Sequence, residues 1–500
     1  MISSKSAGPH LLMTIFLSPC FLLISVSLHA QSTWLRLSGG TVTETGKYYE
    51  SKISDTSGVL VTGKSNYTLS HSSVFKTGNS TRIDSSSRSG QNAGVLVEKN
   101  SIAVFDHDTI VTDGAGANGL FITGSATSTS VSNSIITASG VHAHGVDVTY
   151  LGTLSLSSVY VSSTGDTAPA LATDCAGGYI NFDRGTIIAS GRQSSGIYST
   201  GTITVANAGI TAYNDHGAVI DVDGIINLTA SSVVAAQSGL MIHNTVGSSK
   251  VATAVFAQCD ITANGGHVVY DTAARLTLTF NGGNRTRSSS GNLIYGVKGA
   301  VVNAFVNTDS LSGNVMADAS SVINITLSGK SLMESSFQNA SLTLNPGSEV
   351  SLTADSHLKA FKDSASVDAV LLSVSNVTGN GFNLYYNAAL AENKWLSGLS
   401  YGLKNGGCLL PEGATCSSVL SLTAVNRSKV NLYPNPAGNF IQVQYAIAGS
   451  NYEISGADGR VLASGTISSG RLDVQQLPSG FYVLTLVSSG EKMYFKFCKE

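Results

Sequence analysis

The chain has 500 residues, of which only 12% are charged, and its formal net charge is −3. This balance provides no basic stripe that could neutralise phosphates, so no nucleic-acid partner is expected. The 53 glycines accompany many Ser, Thr, Val, Ile and Asn residues, a mixture that favours pleated strands and tight turns over helices. Composition therefore predicts an all-β protein.

The first 30 residues have the three-part form of a secretory signal peptide. Lys5 precedes an apolar run over residues 11–26, and the polar segment SLHAQ follows that run. We predict export of the chain, with cleavage between Ala30 and Gln31. A lipoprotein anchor at Cys20 is the alternative, although the neighbouring Pro19 and the apolar residues after Cys20 fit it poorly. No later apolar run reaches the length of about 18 residues that a transmembrane helix needs.

A short phrase, in which a polar loop closes on a glycine before an apolar strand, recurs eight times. Its glycines are Gly94, Gly119, Gly145, Gly196, Gly217, Gly239, Gly266 and Gly291. The long interval after Gly145 is a double step with the segment PALA at its midpoint, which gives a mean repeat of about 24.6 residues. This period is typical of a solenoid.

Each repeat contains three short strands, named here in chain order from the glycine. The glycine-led strand is followed by a second strand with alternating side chains, such as GIINL from Gly224, and a third such as SVVA from Ser232. Three stacked strands per coil predict a right-handed parallel β-helix of about 13 coils at residues 59–377. We expect an N-terminal cap at residues 31–58 and a C-terminal cap and linker at residues 378–429. The Ser-rich segment 81–91 predicts a longer loop.

Five cysteines remain after the signal peptide, so at least one thiol lacks an intramolecular partner. Cys408 and Cys416 bracket a small loop that a disulfide could close. Cys175 and Cys259 lie about three and a half coils apart, or ~16 Å along the stack, whereas a disulfide needs Cα atoms within about 7 Å. These two cysteines should not pair.

From residue 430 onward, alternating strands with regular turn signals predict a small β-sandwich. This segment carries the residues Tyr433, Pro434, Asn435 and Pro436, the turn residues Gly459 and Arg460, the later Gly480 and Tyr482, and lysines in the final strand. On these residues, segment 430–500 closely resembles the type A sorting domain of the Bacteroidota type IX secretion system.

The resemblance implies a route and a partner. The signal peptide would carry the chain across the inner membrane, and the type IX machinery would carry it across the outer membrane by way of this domain. Removal of the domain and attachment of the passenger to the cell surface commonly follow. The ending Cys498-Lys499-Glu500 departs from the basic ending that is usual in the family.

The repeats resemble the β-helical passenger domains of autotransporter adhesins in texture, as in TITVANAGITAYNDHGAVIDVDGIINL from Thr202. That resemblance implies a non-catalytic, adhesin-like or structural role at the outer cell surface or after secretion. Glycans or the surface of a host or neighbouring cell are the partners that such a role implies. The same scaffold serves many functions, so it does not identify a ligand.

A secreted polysaccharide lyase or glycoside hydrolase is the alternative, because β-helices include such enzymes. The best candidate for its carboxylates is Asp106-His107-Asp108. Aligned on the repeat, this segment lies in the bend between the second and third strands, where a neighbouring coil has Ser132-Asn133-Ser134. The alignment favours a polar turn, and the sequence assigns no catalytic residue.

Histidines raise the question of a metal site. His144 and His216 each precede a phrase glycine, but three coils separate them by ~14 Å, too far to share one zinc ion. His142 and Asp147 lie closer to His144, in what we interpret as an unliganded loop on the solvent face. The sequence therefore predicts neither a metal site nor a cofactor.

Overall fold

The computed structural model describes residues 34–363, 367–368, 372–416, 431–444, 451–467, 470–488 and 491–500. The predicted signal peptide, with Ala30 and Gln31, lies outside these residues. The chain divides into two compact units, Met1–Val419 and Leu420–Glu500.

The first unit is a parallel β-solenoid, as the repeat predicts, and it has about 15 turns. The glycine-led sheet consists of Leu35–Ser38, Val59–Thr62, Val95–Val97, Leu120–Thr123, Val146–Thr149, Leu171–Asp174, Ile197–Ser199, Ala218–Asp221, Leu240–His243, Val269–Thr272, Asn292–Val297, Asn314–Ala317 and the start of Phe337–Leu344. The second sheet consists of Thr41–Thr45, Asn66–Ser70, Ile102–Asp106, Ser128–Ser132, the first parts of the long strands Thr153–Ser163, Tyr179–Ala189 and Thr202–Ala212, then Ile225–Thr229, Ala252–Ala257, Arg275–Asn281, Val301–Asn307, Val322–Ser328, the end of Phe337–Leu344, Ser356–Lys362, Leu384–Tyr386 and Cys408–Pro411.

The third sheet consists of Tyr48–Ser51, Ser73–Lys76, Thr109–Thr112, Ile135–Ala138, the second parts of the three long strands, Ser232–Ala235, Asp260–Ala263, Arg285–Ser288, Ser310–Ser312, Leu332–Ser335, Glu349–Leu352, Ser373–Thr378 and Tyr401–Lys404. The short strand Val367–Asp368 pairs with it in antiparallel fashion. Inward side chains of all three sheets form one continuous apolar core along the stack.

The number of turns exceeds the predicted 13 because parallel strands extend beyond the predicted repeat region, residues 59–377, at both ends. In the segment expected to be the N-terminal cap, Leu35–Ser38 and Thr41–Thr45 pair in parallel with the next coil. After residue 377, Leu384–Tyr386 pairs in parallel with Ser356–Lys362. Parallel pairing needs alternating side chains and not the glycine, so the phrase alone undercounts the coils.

The phrase glycines recur because the backbone of the next coil lies against them. A Cβ atom on Gly94 would lie 2.8 Å from the carbonyl oxygen of Gly119, and one on Gly119 would lie 2.5 Å from that of Gly145. Each carbonyl is held there by a ladder hydrogen bond, such as that from the Leu120 N–H to Gly145 O. Ala170 of the PALA segment occupies the next position, which confirms the double step.

Two of the eight phrases are out of this ladder. Leu240 pairs with Val269, and Val269 pairs with Ile294, so Gly266 and Gly291 lie two residues before the ladder position. The assignment of these two glycines to the same column was wrong. Register is fixed by stacking the inward apolar side chains, and a glycine in the preceding loop does not override it.

Two of the cysteines form a disulfide, which the sequence left open, and two others do not pair, as their spacing predicts. Cys408 and Cys416 form a disulfide, with Cα atoms 5.8 Å apart. Cys175 and Cys259 are free thiols, which confirms that they do not pair. The disulfide closes the loop after the antiparallel pair Tyr401–Lys404 and Cys408–Pro411 at the end of the solenoid.

The second unit contains two antiparallel sheets, as the turn signals predict. One consists of Asn431–Tyr433, Phe440–Gln444 and Arg471–Asp473, and the other of Val461–Thr466, Asn451–Gly456, Gly480–Ser488 and Glu491–Lys499. Ile441 and Leu472 from the first sheet share an apolar core with Ile454, Leu484 and Phe497 from the second. The two sheets therefore form a small sandwich.

Candidate functional site

One straight row of outward side chains runs along the glycine-led sheet. It is formed by the middle outward residue of each strand, and we call it the outer row. In order along the stack it contains Arg36, Leu60, Leu96, Phe121, Asp147, Ala172, Tyr198, Val219, Met241, Tyr270, Tyr295, Met316 and Gln338. Strand spacing separates neighbours by about 4.8 Å, so the row presents a linear series of positions.

An α-helix covers the first part of the outer row. It spans Ile83–Ser89 and ends at Gly90, whose φ of 68° is left-handed. A Cβ atom on Gly90 would collide with the Phe121 ring, and Asn118 Nδ2 donates a hydrogen bond to Ser87 O. The Ser-rich sequence predicts a loop here, because its residues have weak intrinsic helix propensity, but the structure forms a short helix. Tertiary contacts stabilise this helix, which seven residues would not form alone.

Beside the helix lies a buried acid. Asp147 is fully buried in the outer row, and neither carboxylate oxygen accepts a hydrogen bond from the residues that the structure describes. The nearest basic atom is His144 Nδ1, 3.4 Å from Asp147 Oδ2, and burial raises the pKa of Asp147. The interpretation of this pair as a solvent-facing loop was wrong, since the helix lies alongside it, with Asp84 Oδ1 3.7 Å from His142 Nε2.

A polar network occupies the centre of the row. The Tyr198 hydroxyl donates to Asp221 Oδ2 at 3.1 Å, and the Thr245 hydroxyl and amide both donate to Asp221. His243 Nε2 lies 3.8 Å from Asp221 Oδ1. Burial, reinforced by Asp221 and Asp174, raises the pKa of Tyr198, so its hydroxyl stays protonated and its ring is held in place.

An aromatic platform follows the polar network. The rings of Tyr270 and Tyr295 are stacked with centroids 6.0 Å apart, and His267 lies 4.5 Å from the Tyr295 ring. Ser290 and Asn292 make hydrogen bonds with His267 Nδ1. Burial lowers the pKa of His267, so the imidazole is neutral at pH 7. The platform is therefore partly exposed, uncharged and fixed.

The sequence contained a signal for these residues that the repeat analysis did not use. The phrase GVDV places Asp147 between the apolar Val146 and Val148, and the phrases GIYS and GNLIY place Tyr198 and Tyr295 directly after an apolar residue. A strand residue next to an inward apolar one points outward. Reading only that position in each coil would have found the outer row.

The acidic candidate Asp106-His107-Asp108 lies elsewhere, in the bend between the second and third sheets, where Asp106 aligns with Ser132 as expected. Asp108 accepts hydrogen bonds from the amides of Ser72 and Asp106, and Asp106 accepts one from the Ser132 hydroxyl. Burial raises the pKa of Asp108 to about 6. These contacts connect neighbouring coils.

The histidines also stay apart. His216 Nδ1 accepts a hydrogen bond from the Ser238 amide, three coils from the His144–Asp147 pair. Among the described residues, no group of three or more His, Cys, Asp or Glu side chains could hold a metal ion. Within the same ranges, no helix is long and apolar enough to cross a membrane.

The sorting-motif residues hold the last strand of the C-terminal unit. Asn435 Oδ1 accepts a hydrogen bond from the Cys498 amide, while Tyr433 and Asn435 precede the cis prolines Pro434 and Pro436. These contacts connect the start of the domain to its final strand.

Turns and packing use the remaining motif residues. The Tyr482 hydroxyl donates to Pro478 O, and its ring stacks on Phe497 at 5.5 Å. Gly459 is left-handed with φ of 79°, and the next amide, that of Arg460, donates to Asp458 Oδ1. Gly480 begins the strand that contains Tyr482.

Comparison with known families and proteins bears on this C-terminal unit. Residues 431–500 match the family model described as the secretion system C-terminal sorting domain. No curated protein matches the chain. Residues 431–500 are therefore a type IX secretion sorting domain, which directs the chain to export, for surface attachment or release.

Proposed function

We propose that this protein is an adhesin-like, surface-displayed β-solenoid that binds a glycan chain along the outer row. The observation that carries the proposal is the series of partly exposed aromatic rings, Tyr198, Tyr270 and Tyr295, on one straight face. Aromatic faces pack against the C–H face of sugar rings, while polar atoms around them bind hydroxyl groups. A linear row suits a linear polymer.

Charge favours a neutral glycan at this face. Around its polar centre this face carries the carboxylates of Asp174 and Asp221, and the one ion pair with a guanidinium there joins Asp174 Oδ2 to Arg88 at 3.9 Å among the described residues. Like charges across an interface oppose binding, so a polyuronate would be disfavoured. This argument counts against a lyase that acts on acidic polysaccharides.

The glycoside hydrolase alternative keeps one supporting observation. Asp174 and Asp221 end strands that lie two coils apart in the glycine-led sheet, so about 9.6 Å separates their backbones and both side chains point to the same face. Inverting hydrolases place their two carboxyl groups about 6.5–9.5 Å apart. An experiment that presents polysaccharides to the protein should therefore measure cleavage as well as binding.

The test uses the secreted protein on an array of neutral polysaccharides. Tyr270→Ala combined with Tyr295→Ala should weaken binding at least tenfold, because about 1 kcal/mol or more is lost with each ring. Tyr213→Ala, which removes a ring that is 61% exposed outside the row, is the matched control and should have no effect.

Two outcomes would contradict the adhesin-like proposal. Binding that survives the double substitution would exclude the aromatic platform as the binding site. Release of new reducing ends that Asp221→Asn abolishes would favour the hydrolase instead.

A further inference from the structure

A groove of about 700 Å³ lies near the C-terminal end of the solenoid, on the second sheet and apart from the outer row. Polar side chains on its walls include Ser341, Thr343, Lys359, Lys362 and Glu392, and Trp395 contributes an indole ring. This size is typical of a site for a small ligand or a few sugar residues.

One wall of the groove is formed where the pairing of the strand Ser356–Lys362 with the next coil ends, at residue 358. Side chains bond the backbone groups that a neighbouring strand would otherwise pair. Asn393 is buried; its Oδ1 accepts the Phe361 amide and its Nδ2 donates to Lys359 O. Trp395 Nε1 donates to Phe361 O at 3.1 Å. These bonds fix the short 3-10 helix Ala391–Leu396 against the sheet. Because the walls are held without a ligand, little ordering is needed on binding.

Trp395 provides a platform in this groove. Its ring lies 6.2 Å from that of Phe361 at an interplanar angle of 28°, and the residue remains 39% exposed. The bond from Nε1 restricts the indole, so the exposed part of the ring has a defined orientation. A pyranose ring is the small ligand whose C–H face matches such a surface.

The charges in the groove differ from those in the outer row. Lys359 Nζ donates to Ser321 O at 2.8 Å, which holds the ammonium near the groove and leaves two of its N–H groups for other acceptors. Lys362 adds a second ammonium, and Glu392 is the one carboxylate among the lining residues. The lining therefore carries a net positive charge that favours an anion.

We propose that this groove binds an anionic pyranose, with the sugar ring on Trp395 and the negative substituent at Lys359 and Lys362. The substituent could be the carboxylate of a uronic acid or a sulfate ester, since both accept hydrogen bonds from ammonium groups. The site would be independent of the outer row and would give the protein a second glycan specificity.

Calorimetric titration of the secreted protein tests the proposal with methyl glucuronide, glucose 6-sulfate and methyl glucoside. At least one anionic sugar should bind at least tenfold tighter than methyl glucoside, and added salt should reduce the difference. Preference for the glucuronide or the sulfate identifies the substituent. Equal affinity for all three sugars would overturn the proposal.

Variants locate the binding. Trp395→Ala should abolish binding of the anionic sugars, whereas Trp34→Ala, which removes an indole that is 42% exposed in the first coil, should not. Lys362→Glu leaves the packing of Trp395 intact and should remove the preference for the anionic sugar. If Trp395→Ala does not fold, retention of the preference in Lys362→Glu still refutes the site.

The proposals for the outer row and for the groove can be refuted independently of each other. Tyr270→Ala with Tyr295→Ala should leave binding of the anionic sugars unchanged, and Trp395→Ala should leave binding of neutral polysaccharides unchanged. Loss of anionic-sugar binding in the tyrosine variant would place that ligand on the outer row and overturn the assignment to the groove.

Discussion

Buried carboxylates occur in two regions of the solenoid, with different surroundings. In the bend between the second and third sheets, Asp108 accepts two backbone N–H groups. In the glycine-led sheet, the outward Asp147 accepts none from any described residue, and the inward Asp271 accepts one, from Ala274, through Oδ1 alone. Two amide hydrogen bonds offset part of the desolvation cost of Asp108, whereas Asp271 has one such bond and Asp147 has the imidazole of His144 at 3.4 Å, so less of their cost is offset.

The comparison distinguishes carboxylates that stabilise the stack by bonding neighbouring coils from buried carboxylates that lower its stability. Asp108 belongs to a series of corner contacts in which a side chain accepts the amide of the preceding coil, as Asn284 does for Cys259 and Asp309 for Asn284. Asp147 and Asp271 have no such function in the stack. Substitutions in the two regions should therefore change stability in opposite directions.

Asp271 should show the largest effect, as a pH dependence. Burial raises its pKa from 3.8 to about 7. The folded state then binds a proton that the unfolded state has lost between about pH 4 and pH 7, so stability falls as the pH rises through that window. Asp271→Asn should match the wild type near pH 4 and exceed it by up to about 4 kcal/mol at pH 8.

Urea denaturation at a series of pH values measures this difference. If the unfolding midpoints of Asp271→Asn and the wild type run parallel from pH 4 to pH 8, the carboxylate is not the cause of the decline.

Asp108→Ala should destabilise the solenoid by about 2–3 kcal/mol, because the amides of Ser72 and Asp106 lose their acceptor. Asp106→Ala is the control in the same bend, since Asp106 bonds side chains at the surface, and it should destabilise the solenoid clearly less than Asp108→Ala does. Thermal unfolding of both variants at pH 5, below the raised pKa of Asp108 of about 6, measures the effects without the cost of burying its charge. Equal losses would remove the distinction between the two carboxylates.

Tyr198→Phe should have the smallest effect, about 1 kcal/mol, because Asp221 retains the donors from Thr245 after the hydroxyl is lost. The phenyl ring keeps the aromatic surface, so neutral-glycan binding should change less than in the double tyrosine variant. Thermal unfolding and the polysaccharide array measure both quantities. A loss above about 3 kcal/mol would show that the network stabilises the coils as strongly as the corner does.

The sequence predicted what depends on periodicity. Glycines at the ladder positions and alternating apolar residues determine the coil, and the coil spacing correctly separates Cys175 from Cys259 and His144 from His216. The position of Asp106 in a bend also follows from alignment on the repeat. Each of these depends on residues within one or two neighbouring coils.

The candidate sites depend on contacts that periodicity does not encode. Phe121 of the outer row is buried against Gly90, at the end of a helix that comes from an inserted loop some 30 residues earlier in the chain. The groove depends on Asn393 and Trp395, which bond a strand more than 30 residues away. A repeat pattern indicates which side chains point outward, but the segments that cover them are set by tertiary packing.

Because of the glycine ladder, we expect the solenoid to be lengthened or shortened only by whole coils. Because a ladder glycine fits against the carbonyl of the residue at the same position in the next coil, we expect removal or duplication of one whole coil to restore the same fit, and a partial change to bring a side chain into collision. Each added coil lengthens the outer row by about 4.8 Å and adds one outward position. Reach from the cell surface and the number of glycan contacts would therefore increase together, one coil at a time.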